Sequence, residues 1–157
     1  EIDSEAFLAT VARGVAVLSL DLDTGLDAFA AYSYDVVGLS VTVPTTRPPK
    51  HVLSEMGRIA PAALRSVPNV AYWRHRAELM LTGRMPVSDE LPYPWYQTPN
   101  IHRSTLPDTE ALFDDVGLDV STRILLDEQH VPLRTPRMAS NLRAARAVYT
   151  LTRRQPR

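Results

Sequence analysis

Residues 34–41, YDVVGLSV, form the stretch that decides the fold of this chain. The stretch is nearly continuous in apolar residues, a pattern typical of a β-strand that is covered on both faces in a parallel sheet. Three prolines then interrupt the chain and allow a new helix, in which Val52, Leu53 and Met56 point inward. Residues 62–67 are the next strand. Strand, helix and strand in this order predict a βαβ unit with a right-handed crossover.

The alternation continues on both sides of this unit. A helix is expected to end before Gly14, strands are expected at 15–20, 120–126 and 144–151, and helices at about 71–81 and 108–116. The pattern predicts an α/β domain spanning residues 1–157, with a mainly parallel sheet and helices on both faces. The last two strands lack a predicted helix between them, so we expect one of them to run antiparallel.

Composition excludes several classes of function. The 157 residues include no cysteine, which excludes disulfides and sites that need a thiolate. The formal net charge is −1, so the protein as a whole does not attract nucleic acid electrostatically. No apolar run is long enough to span a bilayer. The four histidines show no ligand spacing, so no metal site is expected. We expect a cytoplasmic protein that binds neither membrane nor nucleic acid.

Two clusters of aromatic and polar residues stand out. One follows the strand at 62–67, and the other lies in the proline-rich stretch 85–107, which is expected to be a loop or lid. The candidate substrate-binding or partner-binding residues in these clusters are Asn69, Tyr72, Trp73, Arg74, Trp95, Tyr96, Asn100 and His102. They are compatible with a pocket that holds a carboxylate, with a protein interface, or with a lid whose tryptophans are core; interface or lid is favoured over catalytic pocket.

Several motifs together resemble the MetW proteins of methionine biosynthesis. The most specific are PNVAYWRHR at 68–76 and PWYQTPNIH at 94–102, and the likeness extends through LFDDVGLDVSTRILLDEQ at 112–129 to NLRAARAVYTLTRR at 141–154. The resemblance implies a Rossmann-like fold of the class I S-adenosylmethionine-dependent methyltransferases, with an antiparallel last strand. It also implies a partner, homoserine O-acyltransferase.

The resemblance also implies a cofactor site for S-adenosylmethionine. Glu1 matches the acidic residue that binds the ribose, Asp21 and Leu22 match the residues at the adenine ring, and Ser40 lies at the ligand end of its strand. The family's glycine-rich loop has no counterpart here, since no G-x-G occurs in this sequence. We therefore expect an N-terminally truncated fold with an incomplete cofactor site and an open sheet edge that can pair with a second copy.

Two functions follow from these observations. The chain is either a methyltransferase-fold partner that supports homoserine O-acyltransferase or an S-adenosylmethionine-dependent methyltransferase that acts on a small molecule. The first is favoured because no residue in the sequence stands out as a general base. Methyl transfer often needs only proximity and alignment, however, so the second stays open.

Overall fold

The computed structural model describes residues 4–18, 20–40, 49–98 and 102–154. The helices are α1 (Ser4–Ala12), α2 (Pro49–Ile59), α3 (Trp73–Thr82), α4 (Leu106–Asp115) and α5 (Arg137–Arg143), with one 3₁₀ turn at Leu26–Ala28. The strands are β1 (Val36–Ser40), β2 (Ala62–Pro68), β3 (Leu118–Leu126) and β4 (Arg146–Arg153).

The four strands form one sheet in the order β1-β2-β4-β3. Strand β1 pairs parallel with β2, and β4 pairs antiparallel with both β2 and β3. Three strands therefore point one way and the last strand of the chain points the other way. This confirms the predicted βαβ unit and the predicted antiparallel last strand.

The core lies on one face of the sheet. Val52, Leu53 and Met56 of α2 and Phe113 of α4 are buried there in one cluster with Tyr149 of β4. The two helices also meet directly, since an ion pair joins Lys50 to Asp115. Helices α2 and α4 thus form one of the two helical layers that the sequence predicts. On the strands, the side chains of Leu64 and Ile124 are exposed.

One charged residue lies inside this core. The Arg65 side chain is only 3% exposed, and its guanidinium lies 5.5 Å from the ring centroid of Phe113. Its Nε and Nη1 atoms are buried and have no hydrogen-bond partner among the described residues. Burial lowers the pKa of Arg65 to about 10, because a low-dielectric surrounding disfavours the charged form.

The expected strand at 15–20 is wrong for the residues that the structure describes. Residues 15–18 and 20 lie outside any strand, and Val15 and Leu18 are exposed. A strand is stabilised by hydrogen bonds to a neighbouring strand. An apolar composition alone does not supply that neighbour, and within the described residues β1 ends the sheet on this side.

Helix α5 was not predicted. The prolines at 132 and 136 suggested an irregular stretch, yet Pro136 stands at the N-cap position of α5. Proline is compatible with a helix N-terminus, where its missing N–H has no intrahelical partner. At the other helix ends, Gly83 and Gly117 have φ values of 65° and 72° and end α3 and α4 as predicted.

Candidate functional site

The candidate site begins where β1 and β2 end. These parallel strands finish at the same edge of the sheet, with Ser40 in register with Ser66. Ligands of open α/β sheets bind outside the carboxyl ends of such strands. The first predicted cluster, starting at Asn69, therefore leaves the sheet at the functional edge.

Asn69 joins this edge to the start of β4. Its side-chain amide donates hydrogen bonds of 2.8 Å to the carbonyl oxygens of Asn141 and Ala144, and its Oδ1 accepts one of 3.1 Å from the Ala71 N–H. The residue is completely buried. Asn69 therefore positions the segment that follows it, and direct contact with a ligand or partner stays a prediction.

His75 connects α3 to the proline-rich stretch. Its ring is buried, with Nδ1 3.3 Å from the Asn69 carbonyl oxygen and Nε2 2.9 Å from Ser88 Oγ. A carbonyl oxygen only accepts, so Nδ1 carries a proton, and in the neutral ring Nε2 accepts from the Ser88 hydroxyl. Ser88 Oγ in turn accepts from the Leu91 N–H at 3.3 Å. These contacts fix the proline-rich stretch to α3.

A second anchor of this stretch is Glu90. Its side chain is 3% exposed, and its Oε2 accepts from Nε and Nη2 of Arg146 at 2.8 and 2.7 Å. His130 Nε2 lies 3.5 Å from the other carboxylate oxygen. Sequence reasoning missed both Ser88 and Glu90, because nothing in the local pattern SDELPYP distinguishes a buried carboxylate from an exposed one.

The anchors leave the aromatic side chains in solvent. Trp73, Tyr93, Trp95 and Tyr96 are all exposed, and the rings of Trp95 and Tyr96 meet edge to face at 5.8 Å. The alternative in which the tryptophans are core is therefore wrong.

Other predicted members of the two clusters have different surroundings. Tyr72 is buried and packs edge to face on His75, with ring centroids 5.5 Å apart. Arg74 forms an ion pair with Glu128, and His102 is exposed. Asn100 lies outside the described residues. The structure thus brings the first cluster together around Asn69 and His75.

The structure describes only some of the residues predicted to bind S-adenosylmethionine. Asp21 lies in an exposed turn, where its Oδ1 accepts a hydrogen bond of 2.9 Å from the Asp23 N–H and its carbonyl oxygen accepts one of 2.7 Å from the Gly25 N–H. Leu22 is partly buried against the core. Ser40 is the last residue of β1, and Glu1 lies outside the described residues. The carboxylate of Asp21 thus hydrogen-bonds within its own turn, and contact of these residues with S-adenosylmethionine stays a prediction.

A charged groove lies between α4 and β3. It has a volume of about 400 Å³. The charged side chains of this groove pair with one another: Arg154 forms ion pairs with Asp114 and Asp119, and Arg123 forms one with Glu110. Within the described part of the chain, no cluster of histidine and acidic side chains suits a metal ion, and no helix has the length and apolar character to cross a bilayer.

Solved structures show which class of fold this is. The chain is similar to an S-adenosylmethionine-dependent methyltransferase, a possible histamine N-methyltransferase, from Thermotoga maritima, with a TM-score of 0.69, 14% identity, and coverage of 98% of this chain and 72% of that one. It is also similar to an S-adenosylmethionine-dependent methyltransferase from Mesorhizobium loti, with a TM-score of 0.63, 13% identity, and coverage of 98% and 78%. The fold is the Rossmann-like fold of these methyltransferases.

The family is narrower than the fold. Residues 1–151 match the family described as methionine biosynthesis protein MetW, and the chain belongs to that family. It is 31% identical over 154 residues to the bifunctional methionine biosynthesis protein MetXA/MetW of Rhodopirellula baltica. The match covers 98% of this chain and 25% of that relative, so the chain spans about a quarter of its length.

Proposed function

We propose that this chain is a partner protein of methionine biosynthesis that binds homoserine O-acyltransferase and supports its activity. One observation carries the proposal: the Rhodopirellula relative joins a MetXA part and a MetW part in one bifunctional chain. We take the MetXA part to be the acyltransferase. Covalent fusion keeps two modules at a high effective concentration, which favours a functional contact between them. Where the proteins are separate chains, a binding surface would have to replace the covalent link.

The candidate site supports this proposal better than it supports catalysis. The exposed aromatic residues Trp73, Trp95 and Tyr96 have the composition of interface hot spots, and Arg74 lies beside Trp73 in sequence. The anchors at His75 and Glu90 hold the surrounding backbone, so little conformational entropy would be lost on binding. We include Asn69, Tyr72, Asn100 and His102 in the proposed surface as residues that position or extend it.

The second candidate function is methyl transfer, which the likeness to S-adenosylmethionine-dependent methyltransferases favours. In this candidate Glu1, Asp21, Leu22 and Ser40 would face the adenosine part of the cofactor. The local hydrogen bond of the Asp21 carboxylate weighs against it. Titration calorimetry with S-adenosylmethionine tests the difference, and binding at micromolar concentration would favour the methyltransferase.

The partner function is tested by an acyltransferase assay. Homoserine O-acyltransferase from the same organism is measured alone and with an equimolar amount of this chain, and the mixture is run on a size-exclusion column. We expect co-elution and a higher rate with the chain present. Two separate peaks together with an unchanged rate would refute the proposal. Trp95→Ala is expected to weaken co-elution, whereas Tyr34→Ala, at an exposed aromatic residue before β1, serves as the matched control.

Three further predictions are part of the proposal. Residues 1–157 act as one domain, with 85–107 as a loop or lid, and the protein is cytoplasmic. The chain also pairs with a second copy through β1, which is an edge strand of the sheet within the described residues and exposes Val36. Light scattering on the purified chain checks the last point, and a monomer at all concentrations would contradict it.

A further inference from the structure

Helix α3 presents an apolar stripe to solvent. Trp73, Ala77, Met80 and Leu81 follow the spacing i, i+4, i+7, i+8, which places them on one face at 100° per residue. Such a stripe normally faces a core. Here Trp73 is 51% exposed, and Met80 and Leu81 are each 80% exposed. An ordered helix that turns its apolar face outward marks a surface for another molecule.

The opposite face of α3 is the one that is anchored. His75 lies about half a turn away from the middle of the stripe by helical geometry, and it is buried between Asn69 and Ser88. The C-terminus of the helix is capped, because the Gly83 N–H donates a hydrogen bond of 2.9 Å to the Leu79 carbonyl oxygen. The outward stripe is therefore held in place by contacts that do not involve it.

Basic residues flank the stripe. By helical geometry Arg74 and Arg76 lie on its two sides, and Arg84 follows the C-terminal end of the helix. Arg74 is paired with Glu128, and the Arg76 Nε donates to the Ala71 carbonyl oxygen at 2.6 Å. Glu78 is the acidic residue of α3. Glu128 offsets Arg74, so among the described residues Arg76 and Arg84 against Glu78 leave the rim weakly positive.

We propose that this face of α3, consisting of Trp73, Ala77, Met80 and Leu81 with Arg84 at its end, docks onto an apolar groove with an acidic rim on homoserine O-acyltransferase. The inference rests on the proposed function and extends its proposed surface from Trp73 along α3. Two such faces would bring Arg76 and Arg84 of both copies together, which disfavours a second copy as the occupant. An apolar helix face in a groove is a common mode of recognition.

The test is a binding titration with the acyltransferase. The double variant Met80→Glu/Leu81→Glu places two carboxylates on the stripe and is expected to weaken binding at least about tenfold. Met138→Glu is the matched control, because Met138 is 99% exposed and lies on α5. It is expected to bind like the wild type. Arg84→Glu is expected to weaken binding less and to reduce its dependence on salt.

The outcomes separate the two proposals. Tight binding by the wild type and by the double variant alike would overturn the docking face and leave the partner function intact. Equal loss in the double variant and in Met138→Glu would also overturn the docking face. Absence of binding by the wild type would refute both. Thermal unfolding checks that the double variant folds, and if it does not, Met80→Gln/Leu81→Gln takes its place with the same expected direction.

Discussion

Replacing Arg65 by methionine is expected to stabilise the fold. The lowering of the Arg65 pKa from its usual value to about 10 corresponds to an unfavourable free energy of about 3 kcal/mol for the cation in the folded state at neutral pH. Methionine fills a similar volume without a charge. It also loses the stacking of the guanidinium on Phe113, which contributes about 1 kcal/mol. The expected net gain is about 1–2 kcal/mol in the free energy of unfolding.

Urea unfolding followed by circular dichroism measures this gain. Arg123→Met is the matched control, because Arg123 has a carboxylate partner, Glu110, at 2.8 Å. That variant is expected to lose stability. A loss of more than about 1 kcal/mol in Arg65→Met would refute the reasoning, since it would mean that the buried cation is satisfied.

The pH dependence follows from the sign of the same shift. The folded state releases the Arg65 proton at lower pH than the unfolded state does. Between about pH 10 and the ordinary pKa of arginine the unfolded state therefore binds more protons, and the contribution of Arg65 to stability rises with pH. The advantage of Arg65→Met over the wild type is expected to be complete below pH 10 and to shrink above it.

Two further predictions concern Glu90 and Tyr149. Glu90→Gln weakens the anchor to Arg146, so tryptic cleavage after Arg84 should become faster. Asp89→Asn, at the exposed neighbouring residue, should leave the cleavage rate unchanged. Equal rates in the wild type and both variants would contradict the anchoring role. Burial raises the pKa of Tyr149, so its contribution to stability is full below about pH 10 and is lost as the pH rises further. Tyr149→Phe should therefore flatten the loss of stability between pH 10 and 11 in urea unfolding, and an unchanged loss would refute this assignment.

The sequence predicted the elements whose stability is local. The βαβ unit around 34–67 was predicted correctly because proline positions, helical spacing and a continuous apolar run agree there. The strand at 15–20 failed because strand pairing depends on a neighbour that the segment itself does not specify. Helix α5 is not predictable from this pattern because proline usually interrupts a helix, yet Pro136 is compatible with a helix start.

The candidate site was predicted by residue type and not by contact. The aromatic residues at 73 and 95–96 stand out in the sequence because tryptophan and tyrosine are large and distinctive, and the structure leaves them exposed; their role stays a prediction. The anchors behind them, Ser88 and Glu90, are common residue types in a loop. Their importance depends on His75 and Arg146, which lie 13 and 56 residues away in the chain. Distant pairings of this kind do not appear in a local pattern.

The exposure of Trp73 and Trp95 has a spectroscopic consequence. They are the two tryptophans of the chain, and both indole rings already lie in solvent in the folded state. Tryptophan emission should therefore start at long wavelength and change little on unfolding. A partner that covers either ring would shift the emission to shorter wavelength. In this protein intrinsic fluorescence is a poor reporter of folding and a good reporter of association.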